Sequence, residues 1–322
     1  MPIKTYLYNS DGGDEVEFTE GICRQLDENQ LLWVSVSERD KSVVENVIKI
    51  LKFKNAPVKD ILDTEERPKL DKFEHYFRIF INSVLITEKG RLKRVPIDFL
   101  IAQNVVITIQ TDEIDYFEEF RNLEKGERHI GEMDAESFLA TLLDLHVVSY
   151  YRAVEHIERE VDKFDETILT SELKDKDFFS KMISLRRDAS KLRRWLMPHR
   201  DVFYALSRPD FNQISESDSA GHFRNLNQRF EGSIDAIENL RDTVLSLFDL
   251  YATRSSHRMN DLMKRLTFAT IIFGAMSVIV GALGMNFDVG FFKAGDGFWL
   301  TLVSMGFLAL ILIVVAKIKD WI

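Results

Sequence analysis

With 322 residues, the chain is long enough for two domains or for one domain and a membrane part. It is 45% hydrophobic and 29% charged, with a formal net charge of -10 and no Lys/Arg-rich block, so nucleic acid is not an expected partner. The single cysteine, Cys23, excludes a disulfide within one chain and a cysteine-built zinc site, which fits a reducing compartment.

The opening stretch MPIKTYLYNSDGGDEVEF holds no apolar signal-peptide core. Residues 1–132 read as an α/β domain. Short β-rich runs occur at KTYLY, LLWVSVS, HYFRIFINSVLI, IDFLIA and NVVITIQ, and DKSVVENVIKILKF and DYFEEFRNL carry helical spacing between them. TEKGRLK predicts a hairpin turn with Gly90 at its tip. Residues 133–220 form a helical region, with one helix over 134–169 and another over 175–206, followed by a turn-rich break.

A final long helix is predicted over 221–283. Its apolar residues Phe230, Ile234, Ile237, Val244, Leu247 and Tyr251 form one stripe. Some 60 residues of helix would span on the order of 90 Å. No proline occurs in the last third of the chain to interrupt it.

Two uncharged apolar runs, 266–283 and 298–316, are each about long enough to cross a bilayer core of roughly 30 Å. Residues 284–297 join them and 317–322 form a short tail. Arg254, Arg258, Lys264 and Arg265 precede the first run, and Lys317 and Lys319 follow the second. The positive-inside rule then predicts a multi-pass protein of the cell membrane, with both termini cytoplasmic and a short outer loop.

The first run is not a uniform anchor. Asn260, Met263, Thr267, Thr270, Gly274, Ser277, Gly281 and Gly284 follow one another at steps of three and four, so they share one side of a helix. Such a stripe serves either close helix packing or the lining of a watery path, and packing is the commoner use. The amides of Asn260 and Asn286, one near each end, favour the path. Two spans cannot enclose a path, so a pore would need a ring of copies.

The segments MNDLMKRLTFATIIF and GALGMNF, with one more span to the C-terminus, resemble the CorA family of divalent cation channels. KDILDTEERPKLDKFEHYFRIFI and SLRRDASKLRRWLMPHRDVF resemble further segments of that family. The resemblance implies a homopentamer with a funnel-shaped cytoplasmic α/β domain, a stalk helix continuous with the first span, and the second span outside it. It implies a selectivity filter at Gly284, Met285 and Asn286, whose amide carbonyls would accept hydrogen bonds from the waters of a hydrated Mg²⁺. The inner gate maps onto Asn260, Met263 and Leu266, where rings of Met and Leu can close a pore by excluding water. Gly284 would let the backbone turn at the helix end. Asn286 can also be read as a helix cap. The divalent cation, Mg²⁺ with Co²⁺ or Ni²⁺, would be cargo, and no cofactor is implied.

Some positions depart from the family pattern. Asp60 matches a carboxylate of the family's magnesium-sensing contact, but Lys59 replaces its acidic neighbour and Asn225 stands where an Asp is usual. A weak regulatory Mg²⁺ contact is the expectation. Leu283 and Ala275 also depart from the common pattern and leave open a ZntB-like branch that transports Zn²⁺, with possible proton coupling. A membrane-anchored coiled-coil scaffold remains a further alternative. No phosphate-binding loop, His-x-x-x-His pair or nucleophile elbow supports an enzyme. The seven histidines are scattered, and surface or core placement is expected for each.

Overall fold

A computed structural model describes residues 2–9, 12–24, 26–27, 29–124, 134–170, 176–208, 211, 219–285 and 296–318. They fall into two units, Met1–Thr167 with Asp175–Ser246, and Ile168–Lys174 with Leu247–Ile322.

The first unit is built on seven strands: β1 (Ile3–Asn9), β2 (Gly12–Val16), β3 (Leu31–Val36), β4 (Lys69–Lys72), β5 (Phe77–Ile86), β6 (Leu92–Ala102) and β7 (Val105–Gln110). Their order in the sheet is β2-β1-β3-β7-β6-β5-β4. Among the described strands only the β3–β7 pairing is parallel. The helices of this half are α1 (Glu20–Arg24), α2 (Lys41–Ile50), α3 (Val58–Leu62) and α4 (Asp115–Glu124).

Alternation along the central strands divides the core into two layers. Leu32, Val34 and Val36 of β3, with Leu100, Ile107 and Ile109, pack with Val44 and Val47 of α2 and Ile61 of α3. The intervening Trp33 sits on the other face. There it makes edge contacts with Phe117 and Phe120 of α4 and with Phe138, and its indole N–H donates to Thr108 Oγ1 at 3.1 Å. Burial on both faces explains why these strands are near-continuous apolar runs.

Helix α2 shows how the sequence sets its own ends. Asp40 accepts hydrogen bonds from the amides of Ser42 and Val43, which caps the start. At the other end Lys52 takes a left-handed φ of 57°, Lys52 N–H donates to Lys49 C=O, and Phe53 N–H donates to Ile48 C=O. That is a Schellman closure with Lys where Gly is usual. Gly90, at φ 69°, turns the β5–β6 hairpin, with its N–H on Thr87 C=O at 2.7 Å.

The helical region comprises α5 (Ala135–Thr170), α6 (Lys176–Leu196), α7 (Arg200–Leu206) and α8 (Ser219–Leu283). The single helix expected over 175–206 is divided by a 3-10 turn at Met197–His199. Pro198 is the cause: its nitrogen cannot donate and its ring crowds the preceding turn. Of the apolar stripe on α8, Phe230, Ile234, Ile237, Val244 and Leu247 are buried, and Phe223, Leu226 and Leu240 extend it; Tyr251 is half-buried. Within the first unit Arg200 holds Glu231 through two bonds of 2.9 and 2.7 Å, and Arg193 holds Glu238. The second unit takes in the rest of α8 and α9 (Gly297–Ile318). The fold class is that expected from the sequence: an α/β domain, a long helix and two helices able to cross a membrane by length and composition.

Candidate functional site

Helix α8 is unbroken from Asn260 to Leu283, so its residues can be placed by angle alone. At about 100° per residue, Met263, Thr267, Thr270, Gly274, Ser277 and Gly281 all lie within about 40° of one direction. Asn260, Leu266 and Gly284 flank that direction at about 60°. All nine are exposed, Met263 at 53% and Leu266 at 62%.

The half-buried positions of the same segment are Lys264, Phe268, Ala269, Ile272, Ala275, Met276, Ile279 and Leu283. They centre on the opposite side of the helix. Helix α9 has its own partly covered stripe at Thr301, Met305, Leu308, Ala309, Leu312 and Ala316. Ser304 and Lys317 apart, its remaining surface is apolar and open, with Phe298, Val303 and Phe307 each more than three-fifths exposed. The polar stripe of α8 is therefore turned away from the side that the chain itself covers.

The hydroxyls on these helices are partly used internally. Thr270 Oγ1 donates to Leu266 C=O at 2.9 Å, and Thr301 Oγ1 donates to Gly297 C=O at 2.9 Å. Hydroxyls bonded back in this way can lie in an apolar medium without an unmet donor.

Helix α8 ends at Leu283. Gly284 N–H still donates to Val280 C=O at 2.8 Å, and Met285 N–H reaches Ala282 C=O at 3.4 Å. Among the described glycines only Gly12 and Gly90 have positive φ. Gly284 thus stands in the turn that follows the last helical residue, Leu283, without a positive φ. Asn286 lies outside the described residues, as does 287–295.

Asp60 and Asn225 both fall in the first unit. Asn225 is exposed on α8. Asp60, on α3, pairs with Lys69 Nζ at 3.1 Å. Lys69 was not singled out in the sequence, although Asp60, Glu66 and Asp71 cluster within a dozen residues around it. Among the described residues no group of three or more His, Cys, Asp or Glu is arranged to hold a metal ion.

Comparison with known proteins places the chain. The CorA-like Mg²⁺ transporter protein family matches residues 28–317. A cobalt/magnesium transport protein CorA of Thermotoga maritima is 28% identical over 308 residues, covering 94% of this chain and 86% of that one. The complete structure of the CorA magnesium transporter from Methanocaldococcus jannaschii superposes with a TM-score of 0.79 at 21% identity, covering 100% of this chain and 99% of that one. The ZntB cytoplasmic domain from Vibrio parahaemolyticus shares the fold at a TM-score of 0.63 and 14% identity, over 80% of this chain and 100% of that one. The match to the family runs through the α/β domain, the long helix and both apolar helices, and the chain belongs to the CorA-like Mg²⁺ transporter family.

Proposed function

We propose that this chain carries divalent cations, Mg²⁺ first and Co²⁺ or Ni²⁺ with it, across the cell membrane through a pore formed by five copies. The observation that carries the reading is the polar stripe of α8, exposed and opposite the covered side of the helix. A stripe with Asn260, Thr267 and Ser277 is a poor surface to give to lipid, where polar groups need partners. Copies arranged in a ring would turn it toward a shared axis and leave the apolar surface of α9 outward.

Along that axis Thr267, Thr270, Gly274, Ser277 and Gly281 would form a narrow polar wall, with Met263 and Leu266 closing it at the inner end and Asn260 beyond them. Gly284, Met285 and Asn286 would form the outer filter. Amide carbonyls in a ring suit an ion that keeps its waters, because they bind the hydrated ion without a carboxylate's grip. Both termini would be cytoplasmic. Two charges moving down the membrane potential release about 4.6 kcal/mol per 100 mV, so uptake needs no nucleotide. The relatives are transporters, and we assign no catalytic residue.

Flux into proteoliposomes under an imposed potential tests this reading. Uptake of Mg²⁺, Co²⁺ and Ni²⁺ without need of a pH gradient is expected. Zn²⁺ uptake that follows a pH gradient would instead favour the ZntB-like reading, which Leu283 and Ala275 leave open. No flux of any ion would favour a scaffold. Native mass spectrometry in detergent should give a pentamer, and a stable monomer or dimer would overturn the ring.

A further inference from the structure

The parallel strands β3 and β7 lie side by side, and the chain leaves their ends toward opposite faces of the sheet. After β3 it leads to α2, whose Val44 and Val47 pack with Leu32, Val34 and Val36. After β7 it leads to α4, whose Phe117 and Phe120 meet Trp33 on the other face. Parallel neighbours whose connections diverge in this way leave a crevice beyond their carboxyl ends, which is where open α/β sheets bind small ligands. A cleft of about 300 Å³ lies there.

Polar side chains of adjacent strands line it. Lys4 of β1 is the register partner of Ser35 on β3, and both border the cleft with Gln110, the last residue of β7. Tyr6 and Trp33 add an apolar wall. Both rings are held in place: Arg121 donates to the Tyr6 hydroxyl at 2.7 Å, and the Trp33 indole N–H donates to Thr108. Glu113 and Asp115, before and at the start of α4, add two carboxylates.

The unmet groups say what would fit. Gln110 is 4% exposed, and its side-chain N–H donates to Ser35 Oγ at 3.1 Å, yet its Oε1 has no partner among the described residues. Buried polar atoms are nearly always bonded, so this carbonyl calls for a donor from outside the chain. Lys4 and Glu113 likewise have no partner among the described ion pairs. Acidic residues at a helix start are favourable for their own sake, so the carboxylates alone would mean little. They do not explain Gln110. A metal ion is not the answer, since no three His, Cys, Asp or Glu among the described residues are arranged to hold one. A simple anion would leave the carbonyl and the carboxylates unanswered, and a simple cation would leave Lys4.

We propose that this cleft binds a small zwitterion of the α-amino acid class. Its ammonium donates to Gln110 Oε1 and faces Glu113 and Asp115, its carboxylate faces Lys4, and its side chain lies along Tyr6 and Trp33. A volume of about 300 Å³ stands at the lower end for small-molecule pockets, which suits a ligand of that size. The inference concerns the first unit only and does not rest on the transport reading, so the two can fail separately.

Saturation-transfer NMR of the full chain in nanodiscs, against each of the common L-amino acids in turn, tests the site. At least one should receive saturation. Acetate or methylamine alone, each with only one of the two charges, should not. Titration calorimetry with that amino acid should give a Kd that Gln110→Leu and Lys4→Met each raise at least about tenfold. Lys4 is exposed on its strand, so Lys4→Met gives a second reading if Gln110→Leu does not fold. Saturation of no amino acid would overturn the proposal and leave water as the partner of Gln110. Binding unchanged in both variants would overturn it as well, by placing the ligand elsewhere. So would acetate binding as tightly as the amino acid, because the cleft would then be an anion site.

Discussion

His199 accepts the main-chain N–H of Asn82 on its Nε2 at 2.8 Å, which ties the 3-10 turn after α6 to the middle of strand β5. Tyr150 of α5 donates to the carbonyl of the same Asn82 at 2.9 Å. Strand β4 pairs only with Phe77–Phe80, and the residue opposite Asn82 on β6 is Pro96, which has no N–H. The helical layer therefore supplies partners for a stretch of main chain that the sheet leaves short of them. The other nitrogen of His199 faces Leu196 C=O at 3.0 Å, so the ring must be neutral, with Nδ1 as donor and Nε2 as acceptor.

That tautomer gives the fold an acid limit. Burial lowers the pKa of His199 from 6.5 to about 4, against the pull of the main-chain bonds, and burial with the nearby His199 lowers His146 well below its usual value. A histidine lowered on folding binds its proton more readily when unfolded, so stability is full above pH 6.5. It is lost as pH falls from 6.5 toward 4. His199 should account for about 3 kcal/mol of that loss. Denaturant titrations between pH 7 and 5 should show a stability slope that His199→Leu reduces by roughly one proton. His146, bonded to Tyr116 at 2.8 Å and to Tyr150 at 2.5 Å, should keep its share of the slope.

The buried ion pairs of β5 and β6 should respond more sharply. Asp98→Ala leaves Arg39 and Arg78 with charge and no central carboxylate, in surroundings where Arg78 and Asp98 are fully buried. Losing one member of such a group typically costs about 3–5 kcal/mol. Chemical denaturation of the variant should show this, and a loss below 1 kcal/mol would mean that water reaches the arginines.

Gly13 is held small by its neighbour across the β1–β2 hairpin. A Cβ there would fall 2.2 Å from Tyr8 Cε1, and Tyr8 is 1% exposed and packs on Phe138 with ring centres 5.3 Å apart. Gly13→Ala must displace the ring, at a cost of about 1–3 kcal/mol. Tyr8→Leu removes the obstructing ring. The double variant should therefore lose less stability than the two single changes added together, and simple additivity would show that the ring moves aside freely.

The fold was legible where burial wrote itself into the sequence. The strands around Trp33, Phe80 and Ile107 are long apolar runs because both their faces are covered, and α5 and α8 carry apolar stripes because one face is. Strands β2 and β4, GGDEV and KLDK, were not legible. They are the two edges of the sheet, and an edge strand tolerates glycine and charge because pairing with one neighbour, not burial, makes it a strand. Helices α1 and α3, at five residues each, are too short to show a period. At the site, the stripe from Asn260 to Gly284 could be read from spacing alone. The ion pairing of Asp60 could not, because its partner Lys69 sits nine residues on, and only the path of β4 brings the two together.

The exposed stripe predicts a contrast between two faces of one helix pair. Gly274→Leu puts a bulky side chain on the proposed pore wall, where a Cβ now meets nothing within 4 Å. Flux should fall at least tenfold, equivalent to about 1.4 kcal/mol added to the barrier. Phe307→Leu, on the open apolar surface of α9, should leave flux within about twofold, less than about 0.5 kcal/mol on the same scale. Equal effects of the two changes would place the ion path elsewhere.

Asn286 decides between a filter and a cap. If its carbonyl receives the hydrated ion, Asn286→Ala should abolish or sharply cut flux while the oligomer stays intact. A cap role alone predicts only about 1 kcal/mol of lost local helix stability, with conduction retained. The helical bonds already made by Gly284 and Met285 end α8 just before it, so capping and conduction are separable by measurement. Asn286→Asp would add one negative charge per copy to the same ring. It should bind cations more tightly and slow their exit, so that flux saturates at lower ion concentration and reaches a lower maximum. Near-normal flux and unchanged ion preference in both variants would leave Asn286 as the end of an anchor helix and nothing more.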